Sequence, residues 1–444
     1  MPPTSDSDCA TLPSPRASRR VWTSRRRGRK VTTAGSGFRR AGLTLLAGSA
    51  GGNLVALALA PVLTRVFDPT SFGAFSTVMA TASLMVGFSS FRFELLAQRV
   101  PRETGESLFR LALWSILAVG LVVTGASFVA WKLGAEPIWL MCGALGVAGS
   151  VPLVSSAIAT WESRYRWLAS MNFAQGALTP IAQITLGLAS ATGGALAAGF
   201  TVARLGWLIN LRALRGSGEA APAPPARLHD ILRLDVLRFG LIGGASALVN
   251  AAASQAPILL VAFLYGHTEA GLFAMAFRLI VAPLGLVAQA ASGAVVGEVG
   301  RSVRERRSGI HELISHAMRD LAMLGLAPAA AAALLAPYLA PRILGEAWAD
   351  TGWLISALAV GALAQLVAAP FGQVLILTHH QRWLLIWDVL RLTLTCAALV
   401  IPRALGWPVL AGVGALSLGQ AVMYGALVAL VRQASRSHDT DSGA

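Results

Sequence analysis

Apolar runs of about twenty residues, each ended by a short polar turn and followed at once by another run, recur along the chain and constrain its fold more than any other feature. The stretch "PVLTRVFDPTSFGAF" (Pro61 to Phe75) shows the form: one run stops at Arg65, the chain turns through Asp68-Pro69-Thr70-Ser71, and a new run starts at Phe72. A helix rises 1.5 Å per residue, so each run is long enough to cross a hydrocarbon layer of about 30 Å. Composition agrees, because 55% hydrophobic and 13% charged residues, with a mean hydropathy of +0.63, give far more apolar surface than one water-solvated core hides. Lipid is the solvent for most of the chain, and lipid leaves helices as the way to satisfy the backbone.

The runs place spans near 41–64, 71–91, 107–131, 138–161, 168–190, 192–211, 239–265, 269–297, 317–340, 353–378, 383–401 and 407–431. The expected fold is an all-α polytopic membrane protein of about twelve transmembrane helices. Charge orients it. With the N-terminus inside, 29 of the Lys and Arg residues fall on inside segments, among them Arg16, Arg25, Arg39, Arg40, Arg92, Arg164, Arg212, Arg301, Arg382 and Arg432. Only Arg65, Lys132, Arg342 and Arg403 fall outside, which is the bias of the positive-inside rule and puts both termini in the cytoplasm. The net charge of +15 is thus mostly a topology signal and needs no nucleic-acid partner. The basic tail with "SRRRGRK" (Ser24 to Lys30) is read as a disordered cytoplasmic segment attracted to anionic lipid, with the bilayer as its partner. Cys9, Cys142 and Cys396 have no paired or metal-ligating spacing, and no cofactor is expected.

The opening turn has an echo 198 positions later. Gly42-Leu43 matches Gly240-Leu241, Phe67 matches Tyr265, Thr70 matches Thr268, and Gly73-x-Phe75 matches Gly271-x-Phe273. One register for all of these indicates an internal repeat. Six spans per copy give both copies the same orientation, hence two parallel six-helix lobes around a central cavity, related by an axis along the membrane normal. The expected division is a tail at 1–40, an N-lobe at 41–212, a cytoplasmic linker at 213–238, a C-lobe at 239–432 and a second tail at 433–444.

"PVLTRVFDPTSFGAFS" followed by "FRFELLAQRVPRETGESLFRLAL" (Phe91 to Leu113) resembles the opening of the oligosaccharide flippases, the Wzx-like polysaccharide exporters of the MOP superfamily. Further matches are Arg278-x-x-x-x-Pro283 and Gly345-x-x-Trp348-x-x-x-Gly352, and the resemblance covers about residues 38–432. Phe93 stands where the family usually has Tyr. The resemblance implies transport of a polyprenyl-diphosphate-linked oligosaccharide from the cytoplasmic to the periplasmic leaflet of the bacterial inner membrane, beside other polysaccharide-assembly membrane proteins, and no catalytic residues.

A lipid-linked sugar diphosphate keeps its tail in the bilayer while its head needs a wet, cationic path. Arg278, Arg204 and Arg391 lie within spans, with Asn53, Asn250, Gln175, Gln255 and Gln289 as hydrogen-bonding groups. Arg278 lies near mid-membrane, where an ionised guanidinium facing lipid costs several kcal/mol, and no acid lies deep in the neighbouring spans to pair with it. Arg391 has Asp388 three residues earlier on its own face, which favours a local pair. Arg204 either snorkels or lines a cavity, and the Asn and Gln residues serve either a substrate or their neighbouring helices. Arg92 and Glu94 mark the cytoplasmic mouth, as a gating salt bridge or a solvated loop end. His379-His380 reads as a short cytoplasmic turn with no metal site. Two other classes stay open: an ion-coupled exporter of another amphiphile or drug, which would place an acid deep in the first lobe, and a membrane enzyme acting on a lipid-linked sugar, which would place its acids on a large outside loop.

Overall fold

The computed structural model describes residues 34–98, 100, 102–209, 234–304, 309–377 and 381–443. They form twelve helical rods, with no strand among the described residues. The first half holds α1 (Ala34–Ala58, continued after a 41° bend by Ala60–Val66), α2 (Pro69–Phe88, resumed as Phe93–Ala97), α3 (Arg102–Lys132), α4 (Cys142–Trp161), α5 (Tyr165–Ala189) and α6 (Gly193–Val202). The second holds α7 (Leu234–Tyr265), α8 (His267–Arg304), α9 (Ile310–Leu344), α10 (Ala349–Ala368, extended by Gly372–Leu377), α11 (Gln381–Ala404) and α12 (Val409–Gly443). Among the described residues nine helices are long and apolar enough to cross a membrane, and the bent α1 makes a tenth. The other two rods are α5, whose apolar run is interrupted by Asn172, Gln175, Thr179 and Gln183, and α6, whose apolar stretch Gly193–Ile209 is short.

Several helices run beyond the spans expected from the sequence, while α6, expected over 192–211, ends already at Val202. Helix α7 already begins at Leu234, α8 runs on to Arg304, and α12 continues to Gly443. Charge marks where water begins, whereas a helix persists until something breaks its hydrogen-bond ladder. The basic segment 1–33, linker residues 210–233 and His379-His380 lie outside the described residues.

The turn at Phe67-Asp68 is tight because each end of it is satisfied locally. The Asp68 carboxylate accepts from the Ser71 N–H at 3.2 Å, and Pro69 opens α2 without needing an acceptor. In the echo, Gly266 alone separates α7 from α8, at a φ of +96° that a side chain would resist. Within the first half, α1 lies against α5 through small residues: a Cβ on Gly52 would stand 2.9 Å from the Phe173 carbonyl oxygen. Close backbone approach replaces the hydrophobic drive that lipid removes.

The two halves share their largest core at one end of the bundle, and α2 continues along α7 toward the other end as far as Gly87, where a Cβ would stand 3.0 Å from the Ala247 carbonyl oxygen. The largest core joins Leu63, Phe67, Phe72 and Phe75 of the first half to Phe273, Met275, Trp348 and Leu358 of the second, all from the end that carries the 67–68 and 266 turns. At the opposite end each half keeps its own core. Phe93, Phe109, Ile116 and Ile158, with Leu168 and Trp207 alongside, belong to the first half; Val299, Ile314, Phe371 and Val431 belong to the second. The lobes are therefore joined through a shared core at the turn end and keep separate cores at the end of the termini, where α2 against α7 is a seam between them.

Candidate functional site

At the joined end the repeat makes contact with itself. The Thr70 and Thr268 hydroxyls are 2.8 Å apart, and they are the pair that the 198-residue register aligns. One turn on, Gly73 and Gly271 cross reciprocally: a Cβ on Gly73 would strike the His267 carbonyl oxygen, and one on Gly271 the Pro69 carbonyl oxygen. Trp348, 1% exposed, donates its indole N–H across the halves to the Thr64 carbonyl at 2.9 Å, and the Phe72 ring meets it edge-on at 5.7 Å. His267 and Glu136 add a contact of 3.7 Å between the halves. Together these close one end of the space between the lobes.

Arg278 stands next to that closure. It follows Gly271 by seven residues, nearly two whole turns, so it projects from the face of α8 that packs on α2 at the crossing. Its repeat partner is Ala80, a small buried residue, so the guanidinium has no symmetric counterpart. Arg278 is half-buried and makes no hydrogen bond or ion pair with a described residue. Two turns further along the same face, no described atom lies within 4 Å of where a Cβ on Gly285 would stand. The face is packed at Gly271 and open at Gly285, with Arg278 between them.

The other two intramembrane arginines are not brought to this place. Arg391 contacts Asp388 at 3.4 Å, donates toward the Tyr424 hydroxyl at 3.5 Å and lies over the Trp387 ring at 4.9 Å, all between α11 and α12. Arg204 lies flat on the Phe200 ring at 3.3 Å and donates to the Phe200 carbonyl. It lines an apolar groove of about 380 Å³ between α3, α4 and the end of α6, whose wall residue Leu121 is 76% exposed. That groove belongs to the flank of the first half.

The amide candidates divide similarly. The Gln175 carbonyl accepts from the Trp207 indole at 2.7 Å, a link from α5 to the end of α6. Asn53 is exposed and donates to the Ser49 carbonyl of its own helix at 2.9 Å. Asn250 is exposed and Gln255 half-buried, both on α7. Gln289 lies on α8, with its side chain outside the described set. Arg92 and Glu94 line one cavity of about 330 Å³ at the end of the termini but do not pair with each other.

Two features of the site were not read from the sequence. One is the Trp348 to Thr64 bond; its signal was the co-occurrence of Pro61-x-x-Thr64 and Gly345-x-x-Trp348, which single-chain reading cannot place together. The other is an apolar fissure of about 390 Å³ between the bend of α1 (Leu57, Pro61) and α9 (Leu335, Leu339), where Ala332, Ala336 and Ala340 recur every fourth residue.

Comparison with known proteins fits this geometry. Among solved structures, the lipid II flippase MurJ in an inward closed conformation superposes with a TM-score of 0.68 at 12% identity, covering 88% of each chain. A multidrug resistance MATE family transporter of the MOP superfamily, inward-facing, gives 0.60 at 16% identity over 89% of this chain and 96% of that one. These establish the fold: two six-helix lobes about a central cavity. In sequence, the succinoglycan biosynthesis transport protein ExoT of Rhizobium meliloti (strain 1021) is 28% identical over 263 residues, 56% of this chain. The chain spans about half the length of that relative, 51%. Residues 62–352 match the family described as polysaccharide biosynthesis protein, a stretch that runs from the bend of α1 through the crossing and Arg278 to Trp348 and Gly352. By that match, over more than half its length, the chain belongs to the polysaccharide biosynthesis protein family.

Proposed function

We propose that the protein is a flippase that moves a polyprenyl-diphosphate-linked oligosaccharide between leaflets, from the cytoplasmic to the periplasmic side of the bacterial inner membrane, by alternating access. The observation that carries this reading is Arg278: a guanidinium without a partner among the described residues, on the face where the packed crossing gives way to a position with no described atom nearby. A charged residue deep in a membrane costs about 3 kcal/mol or more unless a ligand or water offsets it. A diphosphate suits it, since the planar fork of Arg binds phosphate oxygens in pairs. Charge distribution supports the direction: the joined end carries few cations and is the periplasmic side, so this structure is open to the cytoplasm, where the lipid-linked sugar is made. The protein does no chemistry on the substrate; enzymes of polysaccharide assembly supply and consume it.

The test is surface polysaccharide measured against membrane abundance of the protein. Arg278→Ala and Arg278→Gln are expected to abolish export at normal abundance, while Arg278→Lys keeps part of it because the charge remains and the fork is lost. An abundant Ala variant with normal export removes Arg278 from the path and this reading with it.

A further inference from the structure

The break in α2 frames a second polar site, far from Arg278. Helix α2 stops at Phe88, and Phe91 and Arg92 take left-handed backbone angles (φ +48° and +57°) before Phe93–Ala97 resumes. Two successive non-glycine residues in that region are rare, and the surrounding packing must hold them there. The result is a cavity of about 330 Å³ between α2 and α4 that takes Arg92, Glu94 and Gln98 on its polar side and Leu95 and Leu153 on its apolar side. Glu94 is only 7% exposed, and its Oε2 has no hydrogen-bond partner. Arg92 also lines the cavity and makes no ion pair with it.

A buried carboxylate oxygen without donors is unfavourable unless a ligand supplies them. The ligand's class follows from the neighbours. Arg92 would repel a metal or organic cation, Glu94 would repel a phosphate, and an acyl chain would leave both unmet. A neutral polyhydroxyl group satisfies all of them: its hydroxyls donate to Glu94 and accept from Arg92 and Gln98, and its C–H face packs on Leu95 and Leu153.

We infer that this cavity binds a sugar of the lipid-linked oligosaccharide, at a distance from the diphosphate; the inference rests on the flippase reading above. The Gly73–Gly271 crossing sets α2 and α8 side by side, and from it Glu94 lies fourteen residues further along than Arg278. Counted at the helical rise of 1.5 Å per residue, with the break at Ser89–Arg92 in between, that is on the order of 20 Å at most along the axis. A head group that engages both must therefore carry several sugars. The pair acts as a length gauge: Arg278 takes the diphosphate common to every carrier lipid, and the Glu94 cavity takes a sugar present only on an extended chain.

The experiment measures binding of three probes to the full chain in phosphatidylcholine vesicles: a ten-carbon prenyl diphosphate bare, with one glucose, or with five. Glu94→Gln, nearly isosteric, is expected to weaken the five-glucose probe about tenfold and leave the other two unchanged, whereas Arg278→Ala weakens all three. Binding of the bare probe serves as the folding control. Equal weakening of all three probes by Glu94→Gln, or of none, overturns the sugar site while leaving the flippase reading in place. So does an effect that appears only when phosphatidylethanolamine is added, which assigns the cavity to a lipid head group. A wild-type chain that binds none of the probes overturns the flippase reading and the sugar site together.

Discussion

If the Gly73–Gly271 crossing closes the periplasmic end, a single methyl there will open it. In the closed arrangement a Cβ on Gly271 collides with the Pro69 carbonyl oxygen, and one on Gly73 with that of His267. Both obstacles are backbone, so no rotamer change relieves them. A carbon approaches a carbonyl oxygen no closer than about 3.3 Å, and restoring that distance requires α2 and α8 to part by about 1 Å or more. Overpacking of this kind costs about 1–3 kcal/mol. The clash exists only in the closed state, so the whole cost falls on the equilibrium, a shift of about 5- to 150-fold toward opening. The reporter is built in. The Thr70 and Thr268 hydroxyls are 2.8 Å apart, so Thr70→Cys with Thr268→Cys, on a background in which Cys9, Cys142 and Cys396 are Ala, should form a disulfide under mild oxidant. Adding Gly271→Ala should slow that crosslink by at least about fivefold. Undiminished crosslinking in the triple variant would show that the helices pass without this contact, and the closure argument would fail.

Two further outcomes follow from the same geometry. An impermeant thiol reagent applied to intact cells should label Leu133→Cys, 84% exposed beyond α3 at the joined end, and spare Arg432→Cys near the end of α12; the opposite pattern would invert the orientation. Gly285→Val, placed where nothing described lies within 4 Å, should leave the Thr70–Thr268 crosslink intact and lower export at normal abundance, because the side chain obstructs only the state in which the end of the termini closes; full export would show that the open space at Gly285 is never used.

The turn, the repeat and the lobes were legible because each has a local or periodic cause. Asp68-Pro69-Thr70-Ser71 reads as a tight turn from its residue types alone, and a register of 198 shared by Thr70, Gly73 and Phe75 leaves one alignment, whose Thr70 and Thr268 meet in space. The Asp388–Arg391 pair was legible for the same reason, since three residues apart on a helix is a contact whatever the tertiary fold. What the sequence left open depends on neighbours from distant segments. Gln175 reads as a candidate for substrate until Trp207, 32 residues on, takes its carbonyl. Arg204 reads as a deep charge until Phe200 lies flat against it on an outer groove. Arg92 and Glu94 read as either a gating salt bridge or a solvated loop end, and the left-handed residues Phe91 and Arg92 place both on one cavity without pairing them to each other.

The repeat also shows where the two seams of a nearly symmetric scaffold differ. Gly87 and Gly285 occupy the same register position, 198 apart, but a Cβ on Gly87 would meet the Ala247 carbonyl oxygen of α7 at 3.0 Å while Gly285 faces space. One seam between the lobes is therefore packed where its counterpart is not. A ligand shifts such an equilibrium only by the difference in its affinity for the two states. The joined end is held in part by contacts that symmetry duplicates, the reciprocal glycines and paired threonines, with the Trp348–Thr64 bond added from one copy alone. The groups proposed to engage substrate, Arg278 with Ala80 as its counterpart and Glu94 at the far mouth, are not duplicated. Closure and recognition thus reside in different residues of the same helices, so the substrate biases which end is open without having to form the seal itself.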